Sequence, residues 1–217
     1  MPEPELMDTP AQVAAYVAAD FSEPHQAVIT RFDERFPTFV GGTVLDLGCG
    51  SGDVTARFAL AHPECRMVGV DAGPVMLAAA RRHFADLGIA DRIELLEAHL
   101  PDPTIAAHGP FDAVISNSLL HHLADPLTMW RSVALARPRA AVLVQDLRRP
   151  EDEATLATLV VQHTVGADPV LVEDFTHSLR ASYTVAEIEA QLAGAGLPLT
   201  VDAVGDRHVV VSGFLPA

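Results

Sequence analysis

Apolar positions along the chain fall into short dense runs, separated by longer stretches in which they recur every three or four residues. TVLDL (43–47), RMVGVDA (66–72), RIELLEA (92–98), FDAVIS (111–116) and AAVLVQDL (140–147) are runs of the first kind. Their length and β-branched content predict buried strands. DVTARFALAH (53–62), PVMLAAARRHFADLG (74–88) and DPLTMWRSVALAR (125–137) keep helical spacing between them, with Pro63 closing the first helix and Gly88 the second. The Pro-rich stretch LPDPTIAAHGP (100–110) reads as a loop. Strands alternating with helices predict parallel pairing, right-handed crossovers and helices on both faces of one sheet.

The rhythm changes at both ends. Residues 11–21 and 22–36 read as helices, with Ser22 as an N-cap and Pro24 inside the first turn, until Gly41-Gly42 break the pattern. After Pro150, residues 151–165 and 169–183 are helical with no strand between them, and are expected to cover one end of the sheet. A last helix, 185–196, has Thr184 as its N-cap and Gly194 or Gly196 at its end. LTVDAV (199–204) and RHVVVSGFL (207–215), joined across Gly205-Asp206, read as a terminal antiparallel hairpin. The expected organisation is a single α/β unit: residues 1–40 as a helical cap, residues 41–217 as the main domain, and a helical insertion over about 150–183.

Charge narrows the partners. The chain has 14 Lys and Arg against 29 Asp and Glu, a formal net charge of −15, which repels a phosphate backbone or an anionic membrane surface. Arg81-Arg82 and Arg148-Arg149 are the only paired cations from which a local basic groove could be built, so the expected partner is a small molecule rather than nucleic acid or membrane. No apolar run reaches the roughly 20 residues of a membrane span. The start, MPEPELMDTP, lacks the basic-then-apolar layout of a signal peptide, so a cytoplasmic location is expected. Cys49 and Cys65 suit neither a disulfide framework nor a CxxC site. His121-His122 lack an HExxH pattern, so no metal is expected either.

The segment Asp46-Leu47-Gly48-Cys49-Gly50-Ser51-Gly52 carries the main chemical signal. It joins a buried strand to a helix, and Asp71 ends the next strand about 20 residues further on, where an acid can accept hydrogen bonds from both ribose hydroxyls of an adenosine. A dinucleotide fingerprint requires a third glycine at position 53, which is Asp53 here, so a nicotinamide dehydrogenase is disfavoured. An acid-rich loop suits a cationic ligand better: Asp46 can face a positive end while the glycines let the backbone approach.

VLDLGCGSG, VGVDAGPVMLAAARR, FDAVISNSLLHHL and VLVQDL occur in this order and spacing, and with them the chain resembles class I S-adenosylmethionine-dependent methyltransferases over roughly residues 40–147. The terminal strand pair extends the resemblance more weakly. It implies the Rossmann-like methyltransferase fold, a mostly parallel seven-stranded sheet with helices on both faces and a terminal antiparallel strand. The cofactor would be S-adenosylmethionine, and the reaction direct methyl transfer to a small-molecule acceptor. The alternative is a non-catalytic module that binds the same cofactor.

Residue by residue, the resemblance implies that Gly48, Cys49 and Gly50 lie against the methionine part of the cofactor, with Asp46 near its amino group. It implies that Asp71 holds the ribose and that Ala72 and Met76 line the adenine slot. The family often has Asp at the end of its third strand; here Ala98-His99-Leu100 stands there, leaving the backbone and an imidazole to cradle the ring. Pro138-Arg139-Ala140 replaces the usual Pro-Gly-Gly, a structural turn. Asn117 and His121 follow strand four at the edge where open parallel sheets bind ligands. If that segment opens as a helical turn they share a face, with Asn117 meeting cofactor or acceptor and His121 a candidate base. His122, Asp146, Arg148 (or Arg149), Tyr16, Phe21 and Tyr183 are candidate acceptor contacts, the aromatics as part of a lid with Asp174, Phe175, His177 and Ser178. The acceptor, its reacting atom and the oligomeric state are left open by the sequence.

Overall fold

The computed structural model describes residues 9–217. Among them, one sheet carries β1 (Gly42–Leu47), β2 (Cys65–Asp71), β3 (Ile93–Glu97), β4 (Ala113–Asn117), β5 (Ala141–Leu147), β6 (Thr200–Val204) and β7 (His208–Phe214) in the order β3-β2-β1-β4-β5-β7-β6. Neighbours pair in parallel except for β7, which runs antiparallel to both β5 and β6. This is the Rossmann-like methyltransferase fold with its terminal antiparallel strand.

The two-residue side-chain period of the strands divides the core. Leu45, Leu47, Val142 and Val144 join Trp130 of α5 (Leu127–Val133) and Ile188 and Leu192 of α8 (Val185–Ala195) on one face. Val44, Ala141 and Leu143 join Phe32 of α2 (Ser22–Arg35), Phe58 of α3 (Asp53–Ala61) and Phe84 of α4 (Pro74–Asp86) on the other. Helices therefore flank both faces. The remaining ones gather at the carboxyl edge of the strands. Val13 of α1 (Pro10–Ala18) packs on Met76 and Ala79 of α4, while Leu156 and Leu159 of α6 (Glu153–His163) and Leu179 of α7 (Pro169–Ala181) pack on Leu147 at the end of β5. Residues 1–8 of the expected cap lie outside the described residues.

Local signals resolve as follows. Thr184 and Glu187 form a reciprocal capping box at the start of α8, and Gly196, at φ +68°, closes it in preference to Gly194. Ser22 is not the cap of α2 but its first residue: the cap position is Phe21, and the Asp20 carboxylate accepts the Ser22 N–H at 2.9 Å and its hydroxyl at 2.5 Å. The stretch read as a loop at 100–110 contains a 3-10 helix, Pro103–His108, with Asp102 capping Thr104 N–H. No helix among the described residues is long and apolar enough to cross a membrane.

Candidate active site

A cavity of about 880 Å³ opens at the carboxyl ends of β1, β2 and β4. Every residue assigned above to the cofactor lines it: Asp46, Gly48, Cys49, Gly50, Asp71, Ala72, Met76, Ala98, His99, Leu100 and Asn117. The turn after β1 is pinned by Gly48 and Cys49 N–H donating to Val70 C=O at 2.8 and 3.0 Å. Gly48 sits at φ +71°, and a Cβ there would come within 2.9 Å of the Leu119 side chain. Gly50, at φ +52°, faces open space instead, leaving bare backbone toward the cavity.

Asp71 is held by that same turn. Its Oδ2 accepts Gly50 N–H and its Oδ1 accepts Gly73 N–H, each at 2.8 Å. These two bonds fix the carboxylate at the end of β2, at the wall of the cavity. Asp46 lies deeper, 2% exposed, with the Thr55 hydroxyl donating to Oδ2 at 2.5 Å. Burial pushes its pKa up to about 7; the Thr55 hydrogen bond opposes the rise and the Asp71 charge adds to it. A nearby ligand cation would favour the ionised form. The Cys49 thiol is raised well above its ordinary value by burial and by Asp46 and Asp71, and it packs against Gly69. Met76 is buried, serving the cavity wall and the α1–α4 contact together. His99 is exposed at the rim.

At the end of β4 the chain does not run straight into the helical turn that would put Asn117 and His121 on one face. Ser118 takes φ +57°, and a 3-10 turn, Leu120–His122, follows. His121 and His122 both line the cavity, their ring centroids 4.2 Å apart. The His121 side chain is 2% exposed and its Nδ1 lies 2.5 Å from Asp146 Oδ1. Asp146 also accepts the backbone N–H of Leu120 at 2.7 Å and of Leu147 at 2.6 Å. Burial alone would raise the Asp146 carboxyl; the charge and hydrogen bond of His121, the charge of His122 and the Leu147 N–H outweigh it and hold the pKa low. An ionised Asp146 selects the His121 tautomer with the proton on Nδ1, making Nε2 the basic nitrogen.

Three of the candidate acceptor contacts lie outside the cavity lining. Asp146 is 2% exposed and touches no acceptor space; along β5 the side chains alternate, so Gln145 and Leu147 line the cavity while Asp146 turns the other way onto His121. Arg148 leans on the β6–β7 turn, donating from Nη2 to Asp206 C=O at 3.1 Å, and does not line the cavity. Tyr183 packs against the core beneath α8, its backbone carbonyl accepting Arg149 N–H at 3.2 Å. Arg149, the neighbouring candidate, pairs with Glu187. Tyr16 and Phe21 do line the cavity, with ring centroids 4.6 Å apart, and Phe21 stacks on His25 at 5.4 Å. Burial and the Asp53 charge push the Tyr16 hydroxyl up to about 12. Of the other lid residues, Asp174, Phe175 and Ser178 line the cavity; His177 is exposed and does not.

Several lining residues escaped the sequence reading. His25 Nδ1 contacts Asp53 Oδ2 at 2.7 Å, and Arg57 Nε donates to the same oxygen at 2.8 Å. Burial works to raise the Asp53 pKa, but these two partners draw it down to about 2. A fixed anion at the N-terminus of α3 opposes a pyrophosphate there, where that group would otherwise sit. His208, at the start of β7, is lowered to about 4 by burial and by Arg207 and Arg31, so it is neutral at pH 7. Asp174 on α7, already named among the lid residues, has its Oδ2 buried without a hydrogen-bond partner among the described residues, and burial raises its pKa. No local pattern marks His25 or His208; tertiary packing brings them to the cavity. Among the described residues no group of three or more His, Cys, Asp or Glu is disposed to hold a metal.

In fold and cavity the chain resembles the class I S-adenosylmethionine-dependent methyltransferases, and comparison with known proteins points the same way. Residues 44–139 match the family described as a methyltransferase domain. The ubiquinone biosynthesis O-methyltransferase of Xylella fastidiosa strain 9a5c is 32% identical over 173 residues, covering 77% of this chain and 65% of the relative; the chain thus spans just under two thirds of that relative's length. Among solved structures, a SAM-dependent methyltransferase from Aquifex aeolicus superposes with a TM-score of 0.66 at 19% identity, covering 95% of this chain and 98% of that one. The S-adenosylmethionine-dependent methyltransferase SibL gives 0.63 at 25% identity, covering 90% and 55%.

Proposed function

We propose that this protein is an S-adenosylmethionine-dependent methyltransferase that methylates a hydroxyl oxygen of a small molecule, with His121 as the base. The observation that carries the catalytic part is the buried His121–Asp146 pair at 2.5 Å in the wall of the cavity whose opposite end carries the Gly48–Gly50 turn and Asp71. The naming of the Xylella relative as an O-methyltransferase supports oxygen as the acceptor atom.

The residues present fit the cofactor. Asp71 presents a carboxylate at the strand end where the ribose hydroxyls would lie, Asp46 a negative charge to the ammonium, and Ala72, Met76 and Ala98–Leu100 a slot for the ring. When bound, the cofactor supplies a methyl on a sulfonium sulfur that departs as a neutral thioether. His121 Nε2 takes the proton of the acceptor hydroxyl as the oxygen turns nucleophilic, and Asp146 stabilises the imidazolium so formed. Tyr16, Phe21, Asp174 and Phe175, on or beside α1 and on α7, act as a cap that excludes water and aligns the acceptor. His122 contacts the acceptor. Two buried free thiols and the acidic surface suit a cytoplasmic setting.

Calorimetry tests the cofactor assignment. Wild type is expected to bind S-adenosylhomocysteine and not NAD, and Asp71→Ala to lose about 1.5–3 kcal/mol, the scale of hydrogen bonds to a charged group. Equal affinity in Asp71→Ala would remove the ribose assignment.

A further inference from the structure

Asn117, Gln145 and Arg31 form a chain of side chains in which the direction of every amide is dictated by one end. Arg31, on α2, donates from Nη1 to Gln145 Oε1 on β5. Gln145 Nε2 in turn donates to Asn117 Oδ1 at 3.0 Å, across a register that pairs the two residues directly between β4 and β5. A guanidinium has donors only, so the Gln145 oxygen must face it; the reverse amide would set donor against donor. The Gln145 nitrogen must then face Asn117, and the Asn117 oxygen must receive it. What Asn117 has left is Nδ2 with two N–H donors, and Asn117 lines the cavity.

The adjacent acids make this orientation useful. Asp46 and Asp71, on the neighbouring strands, present acceptors to the same cavity. A ligand ending in both an ammonium and a carboxylate requires acceptors for the first and donors for the second. We propose that Arg31 and Gln145 are positioning residues that hold the Asn117 amide N–H groups toward the cavity, where they receive the carboxylate at the amino-acid end of the cofactor. The inference rests on the cofactor reading above. It assigns a function to Arg31 of α2 and to a glutamine in a buried strand.

Gln145→Glu tests it. The carboxylate keeps the Arg31 partner and the side-chain length but cannot donate, so Asn117 turns its N–H groups to Glu and its oxygen to the cavity. Two probes are titrated calorimetrically: S-adenosylhomocysteine, and 5′-methylthioadenosine, which has the same adenosine and thioether but no amino-acid end. Gln145→Glu is expected to weaken S-adenosylhomocysteine by roughly 10- to 100-fold while leaving 5′-methylthioadenosine within about twofold. Arg31→Met, which releases the glutamine, is expected to show the same split. Arg31→Lys, which keeps a donor, should restore most of the affinity. Unchanged S-adenosylhomocysteine binding in Gln145→Glu overturns the proposal, and so does an equal loss for both probes, the mark of general damage to the site. Wild type that binds neither probe overturns the cofactor reading itself, and this inference with it.

Discussion

Replacing Asp46 by Asn separates what the buried acid costs the fold from what it gives the ligand. Its pKa is pushed from the ordinary carboxylate value to about 7, a displacement of about three pH units, worth about 4 kcal/mol at roughly 1.4 kcal/mol per unit. The folded state holds this proton more tightly than the unfolded chain does. The group therefore destabilises nothing below about pH 4, increasingly from pH 4 to 7 as the proton leaves the unfolded chain first, and fully above pH 7. Asparagine has the same shape, stays neutral, and still accepts the Thr55 hydroxyl. Asp46→Asn is expected to be more stable than wild type at pH 8, by about 2–4 kcal/mol, and nearly equal at pH 4.

Ligand binding should move the opposite way. At pH 8 the variant loses the charge that faces the ammonium, so its affinity for S-adenosylhomocysteine should fall by roughly 10- to 100-fold. Wild-type affinity should drop by up to tenfold per pH unit below about pH 7, as Asp46 must give up a proton to bind the cation, whereas the variant should be flat with pH. Chemical denaturation and calorimetry between pH 5 and 8 measure both effects. Equal binding by variant and wild type at pH 8, with a flat wild-type profile, would refute the placement of Asp46 at the charged end.

Three further substitutions probe other parts of the site. His121→Ala should leave S-adenosylhomocysteine affinity nearly intact while lowering turnover by roughly 10²–10⁴, and Asp146→Asn should lower turnover in the same direction; a loss confined to the Michaelis constant in both would make His121 a positioning group. His99→Ala, at an exposed rim position, should cost less cofactor affinity than Asp71→Ala in parallel titrations; a larger loss would assign the imbidazole-bearing position a direct contact with the ring.

The centre of the sheet was legible because β1, β2, β4 and β5 are largely buried and read as near-continuous apolar runs, with helices of clear period between them. The residues proposed to hold the cofactor could be brought to one cavity from the sequence because close backbone approach and an acid at the next strand end leave a local trace in residue type and spacing. The acceptor wall left no such trace. Asp146 stood at a strand exit and read as a contact, yet the two-residue alternation that brings Gln145 and Leu147 to the cavity turns Asp146 onto His121. That alternation was available in the sequence; which of the two faces is the cavity's was not. Ser118 takes φ +57° ahead of a 3-10 turn, and Leu120 N–H is held there by Asp146, a contact 26 residues away in sequence. Tyr183 and Arg148 depended on where the segment after β5 returns to the sheet, a matter of tertiary packing.

The central claim, transfer of a methyl group to a hydroxyl of a small molecule, is tested most directly by incubating the protein with methyl-labelled S-adenosylmethionine and a panel of phenols, catechols and other hydroxylated small molecules. The account predicts label in at least one organic product, one S-adenosylhomocysteine formed per methyl transferred, and loss of both signals in His121→Ala. Tight cofactor binding with no labelled product across the panel and across a metabolite extract would contradict it, and would leave a module that binds the cofactor without using it.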